Sequence, residues 1–167
     1  MKTIIGDGDG LLQGVAAVSQ YGEVLTFWQH LAHAGMIEGN YSGVANSTGE
    51  SHVTAGSNVP AGKLGNSAFL VRNNVSDWWS NGVSLGNKLI LGSTSSSDGG
   101  GSIISAEEMW NIDTKLDDGK PATGAVISYT NSTRPNCVTT DVTATAVYDV
   151  ANETTNACTV VFSRSGF

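Results

Sequence analysis

The stretch "SAEEMWNIDTKLDDGKPATGAV", residues 105–126, decides how this chain is read. Ser105 followed three residues later by Glu108 is a capping box, in which each side chain satisfies the other's orphan backbone N–H. Met109, Ile112 and Leu116 recur at helical spacing, with Trp110 beside them. The spacing predicts a short amphipathic helix whose last turn holds Asp117 and Asp118. Gly119 supplies a left-handed stop, and Pro121 prevents the helix from restarting. Acids at a helix C-terminus oppose the helix dipole, so this end calls for a local reason.

Downstream the period changes from helical to alternating. "GAVISYT" (124–130), "DVTATAVYDV" (141–150) and "CTVVFSR" (158–164) each read as a strand, rich in Val and Thr. The second puts Val142, Ala144, Ala146, Tyr148 and Val150 on one face. The third does the same with Cys158, Val160 and Phe162. Strands separated by turns pair antiparallel, so the C-terminal half reads as a helix leading into an antiparallel sheet.

Upstream, "GEVLTFWQHLAHAG" is a helix with Val24, Phe27, Trp28 and Leu31 inward and Glu23, Thr26, His30 and His33 on the solvated side. Gly35 sits where a left-handed C-cap residue belongs. Residues 39–66 form a loop zone long enough to call for function or short irregular structure. Residues 67–72 and 87–92 read as strands, and 92–102 as a flexible Gly/Ser surface loop. The fold class that follows is α+β: one domain over residues 1–167, with short helices packed on an antiparallel C-terminal sheet.

Composition narrows the function. Charged residues make up 14% of the 167-residue chain, against roughly 25% in an ordinary soluble domain. There are 21 Gly, and Ser, Thr and Asn fill most polar positions, a surface typical of proteins outside the cytosol. Net charge is -7 with 8 Lys and Arg, which leaves no basic patch for nucleic acid or anionic lipid. No apolar run approaches the length of about 18 residues that spans a bilayer. Cys137 and Cys158 are either unrelated buried thiols or one disulfide closing the last hairpin, and the extracellular-looking composition favours the disulfide.

The chemistry-bearing residues are few. Asp7 and Asp9, in "DGDG", match the middle of a calcium loop, but Ile5 and Ala16 stand where its terminal ligands belong. Asp113, Asp117 and Asp118 form a second acidic cluster. It can take calcium, bond the amides of its own turn, or be screened by Lys115 and Lys120. His30 and His33 lie one helical turn apart, with His52 in the following loop, but the set lacks the Glu of a zinc-protease helix. No nucleophile elbow is present, and no catalytic residue is assigned. Trp78-Trp79, inside a polar insert, is a candidate platform for a glycan or a partner protein.

Asn111, Asp113, Lys115, Asp117, Asp118, Gly119, Pro121, Gly124 and Val126 form the pattern N-x-D-x-K-x-D-D-G-x-P-x-x-G-x-V. With two C-terminal cysteines, "FWQHLAHAGMIEGNYSG" (27–43), "NVPAGKL" (58–64) and the ending "VVFSRSGF", it resembles the soluble head of type IV pilin-like proteins and type II secretion pseudopilins. The resemblance implies a bacterial filament subunit with a structural and interaction role and no catalysis. Its partners would be other pilin or pseudopilin subunits, and calcium would have a precedent near the C-terminus. It further implies a periplasmic or extracellular head, anchored to the inner membrane through an apolar helix preceding this segment. The competing reading is a secreted β-rich module that binds glycans or proteins through Trp78 and Trp79.

Overall fold

The computed structural model describes residues 8–12, 22–45, 53–73, 86–94, 100–129, 135–152 and 154–163. Asp7, His52, Trp78 and Trp79 lie outside them. Six elements follow one another: α1 (Glu23–His33), β1 (Ser67–Asn73), β2 (Asn87–Ser93), α2 (Ala106–Leu116), β3 (Val126–Ile127) and β4 (Val160–Ser163). The fold is α+β, two helices with a four-stranded antiparallel sheet.

Helix α1 has Glu23 in its first turn and His30 and His33 in its last, all on the side of the dipole that favours them. It ends as expected. Gly35 is left-handed at φ 69°, and the Met36 N–H reaches back to the Leu31 carbonyl at 2.9 Å. Val24, Leu25 and Trp28 are buried, and Phe27 meets Trp28 edge-on with ring centroids 5.0 Å apart. Thr26, expected on the solvated side, is buried instead. Its hydroxyl donates to the Gly22 carbonyl at 3.3 Å, and this back-bonding lets a polar residue sit on the inner face.

The strand order is β1-β2-β4-β3. Two of the four strands precede α2, so the sheet is not purely C-terminal, and β4 inserts between β2 and β3. The register places Leu70, Ile90, Val161 and Ile127 in one row across all four strands. None of these side chains is more than 4% exposed. This row is the centre of the core, because alternate residues on neighbouring strands fall on the same face of a sheet. Residues 46–52 of the long loop before β1 lie outside the described residues, and the rest of it holds short irregular structure, one of the two alternatives its length called for. Isolated bridges join Ala55 to Val59 and Ala61 to Ala68. The buried Asn58 amide donates to the Val44 carbonyl, and its oxygen accepts the Thr54 N–H.

Segment 141–150 is not a strand. Val142, Val147 and Val150 are exposed, and Ala146 and Tyr148 alone point inward. The alternation is that of a half-buried strand, but among the described residues no neighbouring strand pairs with it. The chain folds on itself through a turn from Val142 to Ala146 and a single bridge between Val138 and Tyr148. Of the expected surface loop 92–102, residues 95–99 lie outside the described residues, and its two ends are tied to the fold. Ser93 bridges Gly101, and the Thr159 hydroxyl donates to the carbonyls of Gly100 and Gly101 in the interior.

Cys137 and Cys158 are joined, with Cα atoms 4.9 Å apart and both side chains fully buried. The disulfide encloses the irregular 138–157 loop rather than a regular hairpin. Cys158 is itself tied to the segment leading into α2, through a bridge to Ile104. The Ser128 hydroxyl lies 3.1 Å from the Cys137 sulfur and donates to the Thr159 carbonyl.

Candidate functional site

The acidic corner between α2 and β3 is built from the capping box onward. The Ser105 hydroxyl accepts the Glu108 N–H, and Glu108 Oε2 accepts the Ser105 N–H, so the helix starts where the sequence says. Its inward stripe is Ala106, Met109 and Asp113, all fully buried. The expected stripe of Met109, Ile112 and Leu116 is only partly realised. Met109 is buried and Ile112 half-buried, but Leu116 is 65% exposed. Asp113 takes the inner position because partners wait for it there. Its Oδ2 accepts the Tyr148 hydroxyl at 2.7 Å, and its Oδ1 accepts the Gly119 N–H at 3.1 Å.

The helix stops at Leu116, one residue before the predicted acidic last turn. Asp117 leaves the helical conformation, with φ -151° and ψ -135°. Its Oδ2 accepts the N–H groups of both Ala125 and Val126. Ala125 directly precedes β3 and Val126 opens it, on a strand whose other side pairs with β4. Next along the edge, the Ser128 N–H donates to the Pro121 carbonyl. An unpaired strand edge is a template for aggregation, and here one carboxylate and one carbonyl close it. Asp118 holds the turn itself: Oδ1 accepts the Lys120 N–H and Oδ2 the Thr123 hydroxyl.

The unfavourable dipole position of these acids therefore has its local reason. They serve as hydrogen-bond acceptors for the turn, the sheet edge and the disulfide loop. Among the described residues this is the one group of three His, Cys, Asp or Glu side chains close enough to share a cation, with ligand atoms within 4.8 Å of one another. Five of the six carboxylate oxygens already accept hydrogen bonds from the chain. A cation entering here competes with those donors.

The reach of Asp117 explains a second glycine. Gly124 is left-handed at φ 81°, and a side chain there would overlap the Asp117 carboxylate. Replacing Gly124 with Ala therefore displaces Asp117 from the β3 edge and strains the backbone. The expected loss is about 2 kcal/mol of unfolding free energy, by analogy with leaving buried amides unpaired. Urea denaturation measures it. A loss under about 0.5 kcal/mol, the range of ordinary surface substitutions, would show that the carboxylate is not needed there.

The other candidates are dispersed. Asp9 is exposed, and its Oδ1 accepts the Leu11 N–H at 2.7 Å, an Asx turn. His30 and His33 are exposed on α1. Trp110, on the outer face of α2, is 44% exposed. A cleft of about 360 Å³ opens between the loop before β1 and the first turn of α2, lined by Leu64, Asn66, Ile103, Glu108 and Asn156 among others. No described helix is long and apolar enough to cross a membrane.

Sequence reasoning missed the burial of Asp113 and its bond to Tyr148. The signal available was a lone Asp three and four residues from two apolar positions, the spacing of an inward face. No protein-family model matches the chain, and no curated protein or solved structure is significantly similar to it.

Proposed function

We propose that this domain is the extracytoplasmic head of a pilin-like or pseudopilin filament subunit, with a structural and interaction role and no catalysis. The observation that carries the reading is the corner itself. The pattern N-x-D-x-K-x-D-D-G-x-P-x-x-G-x-V folds as a capped helix that ends at Leu116 and turns through a left-handed Gly119 straight into a sheet. Each of Asp113, Asp117, Asp118 and Gly124 has a definite task in that turn. The disulfide, which persists in oxidising compartments, supports the placement outside the cytosol. Trp110 and Leu116 on α2, and Val142, Val147 and Val150 on the disulfide loop, are exposed apolar side chains of the kind that neighbouring subunits bury. In this reading an N-terminal apolar helix anchors the subunit and forms the filament spine, while the head sets lateral contacts.

The test has two parts. The gene upstream of Met1 is expected to encode a short basic leader, then Gly or Ala, then a Phe-rich apolar stretch with Glu at its fifth position. Antibodies against the head are expected to decorate surface filaments, or a periplasmic pseudopilus in cells overproducing the subunit. A start codon at Met1, with the protein recovered as a free monomer, would overturn the reading.

A further inference from the structure

We infer that Asn40 is a glycan acceptor, whose carboxamide nitrogen takes an oligosaccharide from a lipid-linked donor outside the cytosol. The chain carries the acceptor pattern Asn-x-Ser/Thr five times, at Asn40, Asn46, Asn74, Asn131 and Asn152. In a chain rich in Asn, Ser and Thr the pattern alone selects nothing, so the surroundings decide. Asn40 and Asn152 lie among the described residues, as do their hydroxyl partners Ser42 and Thr154.

Asn152 is closed off. It is half-buried in the disulfide loop, and its Oδ1 accepts both the Thr154 N–H at 3.2 Å and the Thr154 hydroxyl at 2.5 Å. The Asn136 amide donates to that same hydroxyl oxygen at 3.3 Å. Carboxamide and hydroxyl are held against each other, inside a loop enclosed by Cys137 and Cys158.

Asn40 is presented. It is exposed in the bend that follows α1, and among the described residues its carboxamide makes no hydrogen bond. Its neighbours do the anchoring. Tyr41 is buried, and its hydroxyl donates to the Glu38 carbonyl at 3.1 Å. The Ser42 N–H donates to the Ser57 carbonyl, and the Gln29 amide donates to the Ser42 carbonyl, both at 3.0 Å. Gly39, at φ 110°, packs so closely on Tyr41 that a side chain there would overlap the phenol. The backbone on either side is pinned, and Asn40 is left facing water. A sugar attached to it displaces no core side chain and breaks no hydrogen bond of the fold. Ser42 is exposed too, its hydroxyl donating to the Val44 carbonyl at 3.2 Å. Glu38, also exposed, precedes Asn40 by two residues, where the other four sites have Val44, Arg72, Tyr129 and Val150. A transferase that selects an acid at that position takes Asn40 alone.

The donor is an oligosaccharide on a polyprenyl diphosphate. Asn40 Nδ2 forms a bond to the anomeric carbon, and the bond from that carbon to the diphosphate oxygen breaks. The diphosphate leaves with the electron pair, and the amide gives up one proton. Such modification belongs to surface positions of exported chains, and the buried disulfide belongs to the same oxidising side of the membrane. The inference rests on the extracytoplasmic placement proposed above and not on filament assembly.

The experiment is mass spectrometry of the intact protein, and of its proteolytic peptides, from separated cytosolic and extracytoplasmic fractions of its native cells. The extracytoplasmic chain is expected to exceed its sequence mass by an oligosaccharide, carried on Asn40. Asn40→Gln and Ser42→Ala are expected to lose the added mass, and Ser42→Thr and Asn152→Gln to keep it. Made without a transferase, Asn40→Gln and the unaltered chain are expected to melt together, because the side chain bonds to nothing in the fold. A bare Asn40 in the extracytoplasmic fraction overturns the inference and leaves the placement standing. Added mass that survives Ser42→Ala, or that sits on another of the five sites with Asn40 bare, overturns it equally. Protein confined to the cytosol overturns the placement and the acceptor together.

Discussion

Replacing Cys137 and Cys158 together with alanine lowers the unfolding free energy by about 3 kcal/mol, the loop-closure value for a bridge of this span. The two residues are 21 apart in sequence. Among its described residues the loop they enclose has one bridge of its own and three exposed valines, so its folded form buries little, while the disulfide removes loop-closure entropy from the unfolded chain. The folded state keeps other ties. Tyr148 remains bonded to Asp113, and Cys158's backbone remains paired with Ile104. The variant is therefore expected to fold, with a melting temperature lower by about 10 °C for a domain of this size. Both sulfurs are fully buried, so reductant is expected to act on the native protein only as fast as the loop opens. Calorimetry of the double variant measures the first effect, and thiol release at increasing dithiothreitol the second. A loss below about 1 kcal/mol would mean that the loop is ordered by its hydrogen bonds alone.

What was legible in the sequence was local. The capping box of Ser105 and Glu108, the left-handed stop at Gly35, the left-handed turn at Gly119 beyond the end of α2, and the positions of α1, β1, β2 and β4 all depend on residues within one or two turns of each other. The disulfide was legible from compartment chemistry. What was not legible depends on partners distant in sequence. Nothing near 141–150 says that no strand lies beside it, so its alternation promised a ladder that does not form. Asp113 turns inward because Tyr148 waits 35 residues later. Asp117 leaves the helix because the amides of Ala125 and Val126 are otherwise unpaired. Gly124 was visible as part of a pattern, but its reason, the approach of a carboxylate, is not a property of any turn type. Of the alternatives the acidic end offered, the bonds to amides of its own turn are present, and a cation entering there competes with them.

The same contrast between local pattern and distant partner sets the cost of changing Ile127. By its element it is unimportant: β3 has two residues and sits at the sheet edge. By its register it is central. Ile127 lies opposite Val161, which lies opposite Ile90, which lies opposite Leu70, and Ile127 is 1% exposed. An edge strand so short gains little from its own ladder, so its attachment depends on the side chains it buries. Ile127→Ala removes three carbons from the end of the row, between the sheet and the α2 corner, and leaves a cavity that a disulfide-braced surround cannot easily close. The expected loss is about 3 kcal/mol, within the range for large-to-Ala substitutions in cores. Val150→Ala, at a position 50% exposed on the disulfide loop, is expected to change stability by less than about 0.5 kcal/mol. Guanidinium unfolding of the two variants distinguishes them. Equal, small losses would show that β3 is not seated on this core, and the corner described above would lose the sheet it is built to close.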